Sequence, residues 1–352
     1  MEDKIYIIIL LLLSAGAMWL ELFNINSYIK KIILSILLII AIFVGNNMFP
    51  YSNDYSVYNG LYYRIANDNF EFFYSSDDNI IDYGFLYVVT LIKSFGGDIY
   101  DVYVVVCAIC MFIYYYALNK YTVYILIPWY MIVSRYFENQ NIIQIRQGLA
   151  VAVMLLSLKF AKERRIIPFV LIIIIAASIH KTLIIALCIY PLNLVNWTKL
   201  KIIYAYMLII ILSLLPITNI VFEYVLPTAG IVINKWDAYK GTVFAQPLSY
   251  ANLVSRLIVF SVFLPWLYKR KNIGYNNIFF SMSIIGMILL SAFNNMAELS
   301  GRLSSIFVVA TFFAPSVLLE EYSNMSNKVV LVISFMVLGL ILFIRNQVMF
   351  EV

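Results

Sequence analysis

The stretch IIPFVLIIIIAASIHKTLIIALCIYPLNLV, residues 166–195, decides how this chain is read. Two apolar arms of about 14 residues meet at His180-Lys181. At 1.5 Å per residue each helical arm reaches roughly 21 Å, short of the about 30 Å of bilayer hydrocarbon. Lys162-Glu163-Arg164-Arg165 stands before the stretch, and Lys199 and Lys201 follow it. Lysine and arginine accumulate on the cytoplasmic side of membrane proteins. Both clusters can be cytoplasmic only if the chain between them goes out and returns. His180-Lys181 is then the tip of a short hairpin near the extracytoplasmic face.

Working outward, the same composition continues. Of 352 residues, 63% are hydrophobic and 12% charged, which excludes a soluble globular protein. Apolar runs of the length that crosses a bilayer recur over residues 5–20, 32–49, 102–118, 121–133, 148–161, 203–220, 253–268, 278–293, 303–319 and 329–344. A shorter run at 84–95 and the two hairpin arms join them. The chain reads as an all-α polytopic integral membrane protein, a single multi-pass domain over 1–352, with about 10–13 transmembrane or re-entrant helices. The first run has a weak basic flank, Met1-Glu2-Asp3-Lys4, and no small-residue cleavage site, so it reads as a retained span. Cys107 and Cys110 form a C-x-x-C inside an apolar run with no second pair nearby, which reads as buried helix rather than metal or redox chemistry. The net charge of +5 comes mostly from clusters at helix ends, Lys30-Lys31 and Lys269-Arg270-Lys271 included. That is topology and implies no nucleic-acid partner.

Charge bias carries residues 48–82, 138–147, 223–250 and 294–302 to the outer side. Arg146, His180, Arg256 and Arg302 are thereby expected at one membrane face. An arginine at the centre of a membrane helix costs about 2.5–3.5 kcal/mol, so such residues call for a wet, functional surrounding. The outer loop around 50–82 carries Asp54, Asp68, Glu71, Asp77, Asp78 and Asp82 against Arg64, with seven tyrosines in residues 51–83. Rings that stack on sugar C–H faces and carboxylates that accept from hydroxyls suit carbohydrate; an interfacial aromatic belt is the plainer account. A second outer loop, around 223–250, adds Trp236, Tyr239 and Tyr250.

Four motifs stand out: Asp54-x-x-x-Tyr58, Asp82-Tyr83-Gly84-Phe85, Ile145-Arg146-Gln147-x-Leu149-Ala150 and Ile179-His180-x-x-Leu183. In these the chain resembles the EpsG-type branch of the Wzy polysaccharide polymerases, which extend O-antigen, capsule or exopolysaccharide. Asp82 stands where that family usually has Glu, and Arg302 resembles its later arginine more loosely. The resemblance implies a GT-C-like glycosyltransferase in the bacterial inner membrane, with its active site at the periplasmic face and no cofactor or metal. Its substrate would be an undecaprenyl-pyrophosphate-linked oligosaccharide. Its partners would be the bilayer and the chain-length regulator and flippase of the same pathway.

That chemistry suits the residues. A pyrophosphate leaving group needs positive charge, and arginine offers a planar fork that stays charged. Arg146, Arg256 and Arg302 are candidates, with Lys181 as a point charge and Arg135, Gln147 and Tyr58 as further substrate ligands. Several of these cations have a plainer account: Arg146 snorkels or pairs with Glu138, Arg135 snorkels, and Arg302 pairs with Glu298 one turn earlier. Imidazole titrates near neutral pH, so His180 is expected either to take the proton of an acceptor hydroxyl or to donate to a phosphate oxygen. Asp54 and Asp82 are rival bases or sugar ligands. Three other functions stay open at this point: a flippase or transporter of the lipid-linked oligosaccharide, an O-antigen-ligase-like glycosyltransferase or acyltransferase, and a non-catalytic scaffold of the assembly machinery. A transporter would be expected to carry a pseudo-repeat, and none is visible.

Overall fold

The computed structural model describes residues 4–23, 25–65, 82–225 and 246–350. Every described element is helical, as an apolar solvent demands: a helix satisfies its own backbone hydrogen bonds, and an open strand edge does not. Five described helices are long and apolar enough to cross a membrane: Ser27–Tyr51, Ile99–Tyr121, Tyr250–Lys269, Ala297–Glu321 and Met325–Arg345. The pair Leu126–Ile143 and Ile145–Lys162 makes a sixth, bent by 118°. Shorter apolar helices include Ile5–Glu21, Tyr83–Ser94 and both hairpin arms. The polytopic reading therefore holds.

The chain divides into two compact units, Met1–Tyr190 with Pro315–Val352, and Pro191–Ala314. The first unit contains α1 (Ile5–Met18), α2 (Ser27–Met48), α3 (Tyr55–Arg64), α4 (Tyr83–Ser94), α5 (Ile99–Tyr121) and α6 (Leu126–Ile132). A π-helical stretch, Val133–Ile143, continues α6 and is followed by α7 (Ile145–Lys162) and α8 (Ile166–Ile179). Asp98 caps α5 in a reciprocal capping box with Asp101. Buried Glu21 holds three helix ends together: its carboxylate pairs with Lys30 at 2.8 Å and accepts from the Leu126 amide at 2.8 Å. The last helix of the chain, Met325–Phe350, runs alongside α6 and the π-helix in parallel. Lys328 donates to Tyr124, Tyr130 donates to Met336 O, and Gln347 donates to Glu138, at 2.9, 2.8 and 2.5 Å.

The hairpin is as the sequence suggests. Helix α8 ends at His180, whose backbone is extended (φ −153°, ψ 108°), and the chain returns through a 3-10 helix, Lys181–Cys188, and the short Ile189–Asn193. Tyr190 then donates to Arg164 O at 2.9 Å, so the second arm ends beside the basic turn from which the first set out.

One expectation fails. Residues 138–147 read as a polar outer loop, yet they are π-helix and the first turn of α7, with Gln140, Asn141 and Gln147 almost wholly buried. Polar side chains bonded to one another inside the unit replace water here: Tyr114 donates to Asn141, and Gln140 to Gln144. A π-helix widens the turn and is commonly found at functional positions. Of the two expected outer loops, residues 55–64 form α3, 220–225 are π-helical, and 66–81 and 226–245 lie outside the described residues.

The second unit contains α9 (Lys199–Leu214), α10 (Tyr250–Ser261), α11 (Leu264–Lys269), α12 (Asn276–Ala292) and the first part of α13 (Ala297–Glu321). Its core is aromatic: Phe279 stacks on Phe313 at 5.0 Å, and Trp197 donates to Ser281 at 2.9 Å.

Candidate active site

Two of the sequence motifs meet at the hairpin tip of the first unit, and the other two connect to them through Phe85. Asp82 precedes α4 but does not cap it; its carboxylate turns instead to the tip. Asp82 Oδ2 lies 3.2 Å from His180 Nδ1, and Asp82 Oδ1 accepts from the Lys181 amide at 3.2 Å. Both side chains are largely shielded from solvent, 6% exposed for Asp82 and 14% for His180. An ionised carboxylate only accepts, so the proton of this bond sits on Nδ1, which in the neutral ring leaves the lone pair on Nε2. His180 Nε2 is buried and has no hydrogen-bond partner among the described residues. So is the Thr182 hydroxyl, two residues on. Buried polar atoms without partners are rare, and they gather where a ligand completes them.

Gly84 makes this contact possible. A Cβ there would meet the Ser178 carbonyl carbon and oxygen at 2.7 and 2.8 Å, so only glycine lets α4 lie against the end of α8. The next residue, Phe85, packs on Tyr58 with ring centroids 5.9 Å apart. Tyr58, in α3, is buried, and its ring carries the Arg146 guanidinium on the other side, 5.7 Å from the centroid. Arg146 also hydrogen-bonds to Tyr58. Burial raises the Tyr58 pKa; the Arg146 charge opposes this, and Asp54 adds to it. Arg146, Tyr58, Phe85, Asp82 and His180 thus form one connected set drawn from α3, α4, α7 and the hairpin tip.

Arg146 is half-buried in the first turn of α7, where the helix dipole adds positive potential. Gly148, two residues on, abuts Gln140 O so closely that a Cβ would collide with it. That contact packs α7 onto the π-helix and fixes Arg146. Gln147 is buried in the same turn, and Arg135 is half-buried in the π-helix. Lys181 is exposed, and its amide serves Asp82. Tyr58, named as a substrate ligand, is buried, while Tyr51 and Tyr63 are exposed.

Arg256 and Arg302 belong to the second unit. Arg256, in α10, reaches α13 at Gly301, where its Nη1 lies 3.1 Å from the place a Cβ would take. Arg302 Nε is bonded to Glu298 at 2.5 Å, the plainer of the two accounts given to it. That pair is more than a third exposed, and such pairs add little stability. Cys107 and Cys110 are buried in α5, and neither is in a disulfide. Asp68, Glu71, Asp77, Asp78, Trp236 and Tyr239 lie outside the described residues.

Sequence reasoning named most of these residues but missed the dependence of His180 on Asp82, the role of Gly84 and the burial of the amides at 140–141. Gly84 and Gly148 were both inside quoted motifs, and their positions beside charged residues were the available signal. No curated protein and no solved structure matches the chain. A family model described as EpsG family matches residues 30–349, almost the whole sequence and all of the set around His180. The chain belongs to the EpsG family.

Proposed function

We propose that this protein is a membrane glycosyltransferase that polymerises polysaccharide, transferring a glycan from undecaprenyl pyrophosphate to a sugar hydroxyl of another lipid-linked repeat at the outer face of the plasma membrane. The observation that carries this reading is the Asp82–His180 pair, with its buried, unpartnered Nε2. In this mechanism the acceptor hydroxyl docks on Nε2 and gives up its proton there. Its oxygen attacks the anomeric carbon, and the bond from that carbon to the pyrophosphate breaks, leaving the electron pair on phosphate oxygen. Asp82 holds the ring in the tautomer that can accept and stabilises the imidazolium that forms, as a carboxylate behind a histidine base does elsewhere.

Arg146 meets the charge that develops on the leaving pyrophosphate, a contribution that is often the largest in such reactions. The Tyr58 ring and the Gly148 contact hold it in place. Asp54, Gln147, Arg135 and Lys181 remain candidates for sugar or phosphate contacts in the first unit, and Arg256 and Arg302 for phosphate contacts in the second. A single displacement of this kind inverts the anomeric configuration.

Reconstitution with a defined lipid-linked repeat tests the reading. Wild-type protein should build a ladder of products, and His180→Ala and Arg146→Ala should leave single repeats. Full-length ladders from either variant would remove that residue from the mechanism. In cells, loss of the gene should leave single-repeat surface glycan. Loss of all surface glycan would indicate a flippase, and an unchanged ladder would reject the pathway.

A further inference from the structure

The second unit has a cavity of about 340 Å³, within the range of small-molecule pockets, formed by residues that play no part in the proposed reaction. Its walls include Ile203, Leu264, Pro265 and Phe280, and its polar edge includes Lys199 and Tyr268. Lys199 begins α9, and Tyr268 lies one residue before the end of α11. Two basic clusters distant in sequence, Lys199 with Lys201 and Lys269-Arg270-Lys271, come together at this place. The Lys271 ammonium lies 4.5 Å from the Tyr268 ring centroid and is bonded to Trp197 O. Lys199 is exposed on the cavity's edge. Helices α9 to α12 contain no Asp or Glu, so the charge gathered at the mouth is of one sign.

An apolar cavity with the Lys199 ammonium on its edge, and the Lys271 ammonium against the Tyr268 ring that lines it, matches a molecule with a hydrocarbon tail and an anionic head. The geometry points to a binding site for an anionic phospholipid of the cytoplasmic leaflet, one acyl chain lying in the cavity and the phosphate resting between Lys199 and Lys271. The leaflet follows from the clusters themselves, since basic residues mark the cytoplasmic ends of membrane helices. That leaflet carries the anionic lipids that basic segments attract. A zwitterionic lipid would fill the cavity equally well but would gain nothing from the two lysines.

Native mass spectrometry of the full-length protein, titrated with phosphatidylglycerol and phosphatidylcholine of the same acyl chains, tests the proposal. Phosphatidylglycerol should be retained more tightly, by about fivefold for each lysine at the rim. Lys199→Ser, at an exposed position, should lose one such factor, and adding Lys271→Ser should bring the two lipids level. Ser261→Trp, which fills the cavity and leaves both lysines, should weaken retention of both lipids. Equal retention of the two lipids by wild-type protein would overturn the proposal, as would phosphatidylglycerol binding unaltered by Lys199→Ser and Ser261→Trp. Binding of undecaprenyl phosphate in place of phosphatidylglycerol would overturn it too.

Discussion

The two nitrogens of His180 have different surroundings: Nδ1 faces the Asp82 carboxylate, and Nε2 is buried without a partner among the described residues. Removing the ring should lower the polymerisation rate about 10²–10⁴-fold, the usual worth of a general base, in a reconstituted assay of His180→Ala. In the proposed reaction Asp82 acts through His180 and is a positioning residue. Asp82→Asn should reduce kcat while leaving KM nearly unchanged, because an amide can donate to Nδ1 and favour the wrong tautomer. Asp82→Glu, which keeps a carboxylate behind the ring, should recover part of the rate. Arg146→Ala should cost about 10²–10³-fold in kcat, as loss of one preorganised donor to a developing charge does, and Arg146→Lys should restore only a fraction. The raised pKa of Tyr58 has a checkable sign. With its hydroxyl protonated to beyond the usual tyrosine range, Tyr58 changes charge nowhere between pH 5 and 9. Tyr58→Phe should therefore lower activity without reshaping the pH–rate profile, measured over that interval.

At the scale of elements, close approach governs the site. Gly84→Ala would push α4 off the Ser178 backbone and with it the Asp82 carboxylate. Overpacking of this kind costs about 1–3 kcal/mol. A thermal unfolding scan should show the loss, and the same variant should lose activity beyond what the remaining folded fraction explains. The hairpin arms were legible because length and flanking charge are one-dimensional properties. The π-helix was not. Glu138, Gln140 and Asn141 have the composition of a loop, and only their hydrogen bonds to α5, Gln144 and the last helix reveal that they are buried. Nor was the pairing of Glu21 with Lys30 and the Leu126 amide. Lys30 read as a marker of sidedness, and a bond 105 residues long between Glu21 and Leu126 leaves no trace in spacing. The Asp82–His180 contact, 98 residues long, was hidden for the same reason, although both residues had been singled out.

For the whole molecule, sidedness is the property to measure. Of the three native cysteines Cys107 and Cys110 are buried and Cys188 is partly exposed, so the scan starts from a Cys188→Ser background. Cysteines placed at Arg164 and at Lys269 should react with a membrane-impermeant maleimide from the cytoplasmic side alone, and one at Tyr51 from the outer side alone. Labelling of Arg164→Cys and Lys269→Cys from opposite sides would break the topology on which the proposed outer active site depends.

The short arms of the hairpin have one more consequence. If Arg164 and Tyr190 sit at the inner headgroups, a tip only about 21 Å away stops roughly 9 Å beneath the outer ones. The bilayer must dimple or admit water above His180. A polyprenol could then stay dissolved in the hydrocarbon while its sugar sinks through that depression to the imidazole, and the growing glycan would leave upward by the same opening.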